Sequence, residues 1–189
     1  MKSDPVAAIR EWLDRPPGDT LAQANLHAAR HEAAHAVVAV RLGLLLDDTD
    51  ITERGVGSNT TSGQTNVKDL DANPAAGAIV AAAGIVADGN RSARFWEVSP
   101  NAPTAGDVEK LAYYAQRLGV LQCSEDFRDD PAFGPWATAA VQRAHDLFHA
   151  DGGVAWGRVK DALLQRSLSG NEVRALVAEA DKESGFAGR

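Results

Sequence analysis

Helical spacing of apolar positions dominates this chain, interrupted once by a short stretch with strand character. Leu21 to Leu42 contains no Pro or Gly and is rich in alanine (Ala28, Ala29, Ala33, Ala34, Ala36, Ala39), the strongest helix former, so it predicts one long helix. Thr20 offers an N-cap and Gly43 a C′ stop. Asp47 to Glu53 then reads as a short strand, Gly55 to Gly63 as a Gly/Ser/Asn/Thr-rich loop, and Gln64 to Val67 as a returning strand. Pro74 to Asp88 is a run of small apolar residues and predicts a buried helix. After an irregular stretch with the pair Phe95-Trp96, a helix opens at Pro103 to Asp107 and runs to Gly119.

Cys123 to Pro135 is an acidic, proline-bearing loop, followed by helical segments at Trp136 to Ala150, Val154 to Arg166 and Ser169 to Lys182. The last opens with Ser169 and Glu172 spaced as a capping box. Near the start, Pro5 to Asp14 reads as a short amphipathic helix, so residues 1–19 form an N-terminal helical extension. The expected architecture is one domain over residues 1–189, mainly α, with a small β-hairpin next to the long helix.

Composition narrows the function classes. A chain of 189 residues with 44% hydrophobic and 24% charged residues is ordinary for a globular protein with a real core. A net charge of −7 provides no electrostatic footprint for nucleic acid. The single cysteine, Cys123, excludes an internal disulfide framework and suits a reducing compartment. No apolar leader follows Met1, and the longest apolar stretch, Ala75 to Ala87, is too short to span a bilayer. A cytoplasmic protein without a membrane segment is the expectation.

The long helix carries His31-Glu32-Ala33-Ala34-His35, which reads H-E-x-x-H. Histidines four apart lie one above the other on one helical face, where both imidazoles can bind one Zn²⁺. Glu32 beside them has the reach to take a proton from a water that the metal activates. With 5 His and 9 Glu in the chain, chance supplies roughly 0.006 such motifs. Val38 and Leu42 continue the same face, so it points inward. His27 lies one turn earlier on that stripe; a half-exposed helix histidine is the simpler reading, a group behind the ligands or a substrate contact the alternative.

A catalytic zinc takes three protein ligands. The extension H-E-x-x-H-x-x-G-x-x-H is absent, as is an N-E-x-x-S/D pattern. Asp107, 72 residues beyond His35, opens a helix and is the best candidate. By spacing alone it is equally a capping residue with Thr104, since carboxylates complement helix N-termini. A second pair, His145 and His149, has the same spacing with Asp146 between; chance supplies roughly 0.13 such pairs, and a surface or interface role is the simpler reading, a second metal site the other.

The order of these features resembles the FtsH-like zinc metalloprotease domain, peptidase family M41. Arg30 to Ala39 is similar to that family's H-E-A-G-H-A helix, and Asp50-Ile51-Thr52 through Gly63-Gln64-Thr65 to its strand, loop and second strand. Val80 to Asp88 resembles its A-G-R-A-A-E-E helix, and Thr104 to Leu111 its T-G-A-x-N-D-L segment; Leu163 to Val173 is similar to its final helix pair. The resemblance implies His31, His35 and Asp107 as zinc ligands and Glu32 as general base; His27, Asp88 and Gly63 are candidates for groups behind the ligands or for substrate contacts. The chain departs from the family at Ala34 (Gly), Ile85 (Arg) and Asp88 (Glu), and it has no G-x-x-x-x-G-K-[ST] loop.

The expected function is therefore a free-standing, ATP-independent zinc metalloendopeptidase acting on protein or peptide, with a separate ATPase or unfoldase as a possible partner. The alternatives are a non-catalytic zinc-containing binding or regulatory module, and a site-specific regulatory protease of the ImmA/IrrE type. An adaptor using the acidic loop around Asp126 to Asp130 is a further one, although such charge runs are usually solvated turns.

Overall fold

The computed structural model describes residues 17–53, 61–89, 95–97, 105–121 and 126–186. The expected helix at Pro5 to Asp14, the cap at Thr104 and the lone Cys123 lie outside the described residues.

Helix α1 spans Pro17–Arg41. It begins three residues before the expected cap, so Thr20 lies inside the helix; Pro17 is favoured in a first turn, where its missing N–H costs nothing. The other end closes as expected. Gly43 takes a left-handed φ of +73°, Leu44 N–H donates to Ala39 O at 3.0 Å and Gly43 N–H to Val40 O at 2.9 Å, a Schellman motif.

Residues 32–39 of α1 are all buried, so the helix there has no solvent face. On one side it packs against α2 (Pro74–Ala87), α3 (Ala105–Arg117) and α4 (Phe133–Phe148), around Val38, Ile85, Leu111 and Phe133. On the other it meets α5 (Val154–Leu163) and α6 (Gly170–Ser184), around Val37, Val159, Leu163 and Val173. Its alanines let both layers approach closely, and each large apolar side chain buried there contributes about 1.5–3 kcal/mol. Ser169 caps α6 with the expected box. Asp126 likewise accepts the Arg128 N–H at 2.9 Å and caps the turn Phe127–Asp129, so the acidic loop at that point has a local structural role.

Strand β1 (Leu46–Glu53) pairs antiparallel with β2 (Thr61–Val67), from Leu46↔Val67 to Glu53↔Thr61, with an irregularity at Asp47. The hairpin is joined by a third strand, β3 (Leu168–Ser169), antiparallel to β1, so the order is β2-β1-β3. Two residues are too few to show a strand period in sequence, which is why only the hairpin was expected. The fold is mainly helical with a small antiparallel sheet beside α1, and no helix among the described residues is long and apolar enough to cross a membrane.

Arg41 ties the layers together at the end of α1. Its side chain, 3% exposed, donates to Leu147 O at 2.6 Å, which satisfies a C-terminal carbonyl of α4, and pairs with Asp151 at 2.9 Å and with Asp181 of α6. Asp151 in turn accepts the N–H groups of Gly153 and Ala155, at 3.0 and 2.6 Å, at the start of α5. Burial works to raise the Asp151 pKa, but the Ala155 N–H, Arg41 and the Gly153 N–H outweigh it and hold it low. Arg41→Ala strands a buried carboxylate and is expected to cost about 3–5 kcal/mol in chemical denaturation. Because the folded pKa of Asp151 is depressed, its contribution is complete above its unfolded value of about 4 and is lost as pH falls below it. The native protein should therefore lose stability on acidification more steeply than Asp151→Asn, as read by denaturation midpoints from pH 7 to 3.

Candidate metal centre

Three elements bring the candidate residues together. His31 and His35 come from adjacent turns of α1, and Asp107 is the third residue of α3. His31 Nε2 lies 3.1 Å from His35 Nε2; Asp107 Oδ2 lies 3.0 Å from the first and 3.4 Å from the second. Among the described residues this is the one group of three metal-capable side chains with converging donors.

The outer nitrogens decide what those inner atoms carry. His35 Nδ1 donates to the carbonyl of Val80 at 2.7 Å, and His31 Nδ1 to Asp88 Oδ2 at 3.1 Å. Each imidazole is thereby held with Nε2 turned inward, the tautomer a metal ligand needs. Asp107 Oδ2 is buried and makes no well-formed hydrogen bond. Two imidazole nitrogens and a carboxylate oxygen thus crowd one point, an arrangement that could hold a metal ion. A tetrahedral zinc with bonds of about 2.0–2.1 Å sets its ligands about 3.3 Å apart, close to the three separations here. The donor set and its spacing fit Zn²⁺.

The same crowding shifts the protonation equilibria. Burial disfavours the His31 imidazolium, but the adjoining carboxylates of Asp107 and Asp88 outweigh it and push the His31 pKa up to about 10. For Asp107, burial works upward and is outweighed by the imidazoles of His35 and His31, which hold its carboxyl well below the usual range.

Glu32 is buried at 6% exposure and faces β2. Thr65 Oγ1 donates to its Oε2 at 2.7 Å. Gly63, one pleat away on the same strand face, lies so close that an added Cβ would stand 2.2 Å from Glu32 Cγ. Gly84 of α2 makes the equivalent approach on the metal side: its Cβ would lie 2.3 Å from Asp107 Oδ2 and 2.5 Å from His31 Cε1. The group opens into a cleft of about 650 Å³ between β2, α2 and α3, with Lys110 and Tyr113 on its lining.

The structure therefore gathers His31, Glu32, His35, Asp88, Asp107 and Gly63, and places His27 on the lining of the same cleft. His145 and His149 lie with tilted rings, centroids 4.5 Å apart, but belong to no three-donor group among the described residues. The roles of Thr65 and Gly84 went unassigned in the sequence. For Gly84 the signal is that a glycine inside a helix costs about 1 kcal/mol unless packing requires it; Gly63, expected in the loop, shares a strand face with Thr65 only because β2 begins at Thr61.

Gly84→Ala is expected to push Asp107 or His31 out of line and weaken metal binding roughly 10–100-fold, the range seen when groups around ligands are disturbed, with the helical circular dichroism retained. Competition with a chelating indicator measures it; an unchanged affinity would contradict the close packing. Compared with known proteins, the chain matches no protein-family model and no curated protein.

Proposed function

We propose that this protein is a zinc-dependent metalloendopeptidase with the FtsH-like order of parts, using Glu32 as general base and needing no ATP of its own. The observation that carries the reading is the convergence of His31 Nε2, His35 Nε2 and Asp107 Oδ2 beside the buried carboxylate of Glu32, all on one cleft.

His31, His35 and Asp107 would hold the ion. When bound, Zn²⁺ supplies a Lewis acid that polarises a carbonyl and lowers the pKa of water to about 7. Glu32 takes the proton of the attacking water and returns it to the leaving amine. Thr65 holds one oxygen of Glu32, which limits its swing and keeps the carboxylate in the cleft. Val80 and Asp88 orient the two imidazoles. β2 ends the sheet order and lines the cleft, so an extended peptide can add to it as a further strand. Without a motor, the substrates are unstructured peptides, exposed loops or one dedicated protein, or a separate unfoldase delivers them.

Two features favour catalysis over a zinc clamp. A structural zinc is closed by four protein ligands, whereas three donors converge here and a cleft leads to them. A clamp also has no use for a buried, tethered glutamate. The place of Asp107 beside the histidines favours the FtsH-like ligand set over an ImmA/IrrE-type enzyme, whose third ligand would come from elsewhere.

Glu32→Gln is expected to retain zinc and to lower cleavage of an unfolded protein substrate by about 10²–10⁴-fold, the usual worth of a positioned acid-base group. Zinc content by elemental analysis and peptide release by mass spectrometry read the two halves; undiminished cleavage would remove Glu32 from the role.

A further inference from the structure

Asp88 sits at the C-cap of α2 with its side chain only 8% exposed. One of its oxygens is accounted for: Oδ2 accepts from His31 Nδ1. The other, Oδ1, is buried and has no hydrogen-bond partner. It faces His27 Nε2 across 3.5 Å, beyond the distance of a good N–H···O bond. His27 stands one turn before His31 on α1, half exposed at 49%, on the lining of the cleft.

We propose that His27 Nε2 and Asp88 Oδ1 form a second divalent-cation site beside the cleft that His27 lines, completed by water. Their separation is close to the edge of about 3.3 Å that a tetrahedral zinc imposes on its ligands. Imidazole plus carboxylate suits zinc among the divalent ions. A cation would also satisfy the buried Oδ1, which has no hydrogen bond and only the 3.5 Å approach of His27. Two protein ligands and an open face make this site weaker and faster-exchanging than the three-ligand centre. Asp88 then serves both sites, orienting His31 for one and ligating the other. On the peptidase reading, on which this regulatory consequence rests, an ion held by His27 would occupy part of the cleft lining, so zinc in excess of one equivalent would restrain the activity that the first equivalent confers.

The test is a titration of the metal-free full-length protein with Zn²⁺ against a chelating indicator. The native protein should take up one tight and one weak equivalent. His27→Ala, a change at a half-exposed side chain, should keep the tight equivalent and lose the weak one. His35→Ala, whose Nδ1 is held by Val80 rather than Asp88, should keep only the weak one. Asp88→Asn should lose the weak equivalent and loosen the tight one roughly 10–100-fold through His31. A native protein that takes up the tight equivalent alone, or two equivalents in His27→Ala, would overturn the second site. Loss of the tight equivalent alone would support the second site and sink the zinc-peptidase reading, so the two failures are distinguishable.

Discussion

A helix buried on every side must answer for each polar group it carries, and that constraint organises this molecule. α1 is enclosed through residues 32–39, yet it bears Glu32 and His35 within that stretch and His31 just before it. A buried polar group left without a partner costs about 1–3 kcal/mol, more for a charged one. The partners come from four directions: the Val80 carbonyl, the Asp88 and Asp107 carboxylates, and the Thr65 hydroxyl. One demand stays unmet by protein atoms alone, since the inward Nε2 atoms and Asp107 Oδ2 meet without a well-formed hydrogen bond at that oxygen. The groups that satisfy α1 are thus the same ones that form or flank the candidate cation site.

Close approach makes this possible. The alanines of α1 and the small side chains of α2 bring the backbones together, and Gly84 and Gly63 remove the last obstructing atoms on the two flanks of the motif. A side chain at either glycine would collide with Glu32 on one flank or with Asp107 and His31 on the other. The layers are in turn held by contacts far from the chemistry. Arg41 and Asp151 join the ends of α1, α4 and α5, and β3 pairs with β1, the strand that carries β2 and its hold on Glu32. A site built on helices and a sheet anchored in this way is well placed to keep its residues aligned.

Much of this was legible residue by residue. His31 and His35 follow from helical spacing alone, because a four-residue interval places both on one face wherever the helix goes, with Glu32 one residue on from His31. The Schellman stop at Gly43 and the capping box at Ser169 are local chemistry and read directly. The start of α1 was misplaced because Pro17 tolerates a first turn as well as Thr20 tolerates a cap. β3 escaped notice because a two-residue strand exists only through its partner.

The sequence by itself determined which side chains could share a face, where helices stop, and that the chain would be mainly helical with a small sheet. These depend on periodicity and capping, which operate within a few residues. Only the tertiary structure decided that Asp107, 72 residues from His35, has its Oδ2 at ligand distance from both histidines rather than merely capping α3. It alone turned Gly63, Thr65 and Gly84 from loop, strand and helix residues into the walls of the site, and left Asp88 facing His31 and His27 at once. The physical reason is that these contacts are set by how closely buried helices and a strand edge can approach, a property of the packed layers that no local pattern encodes.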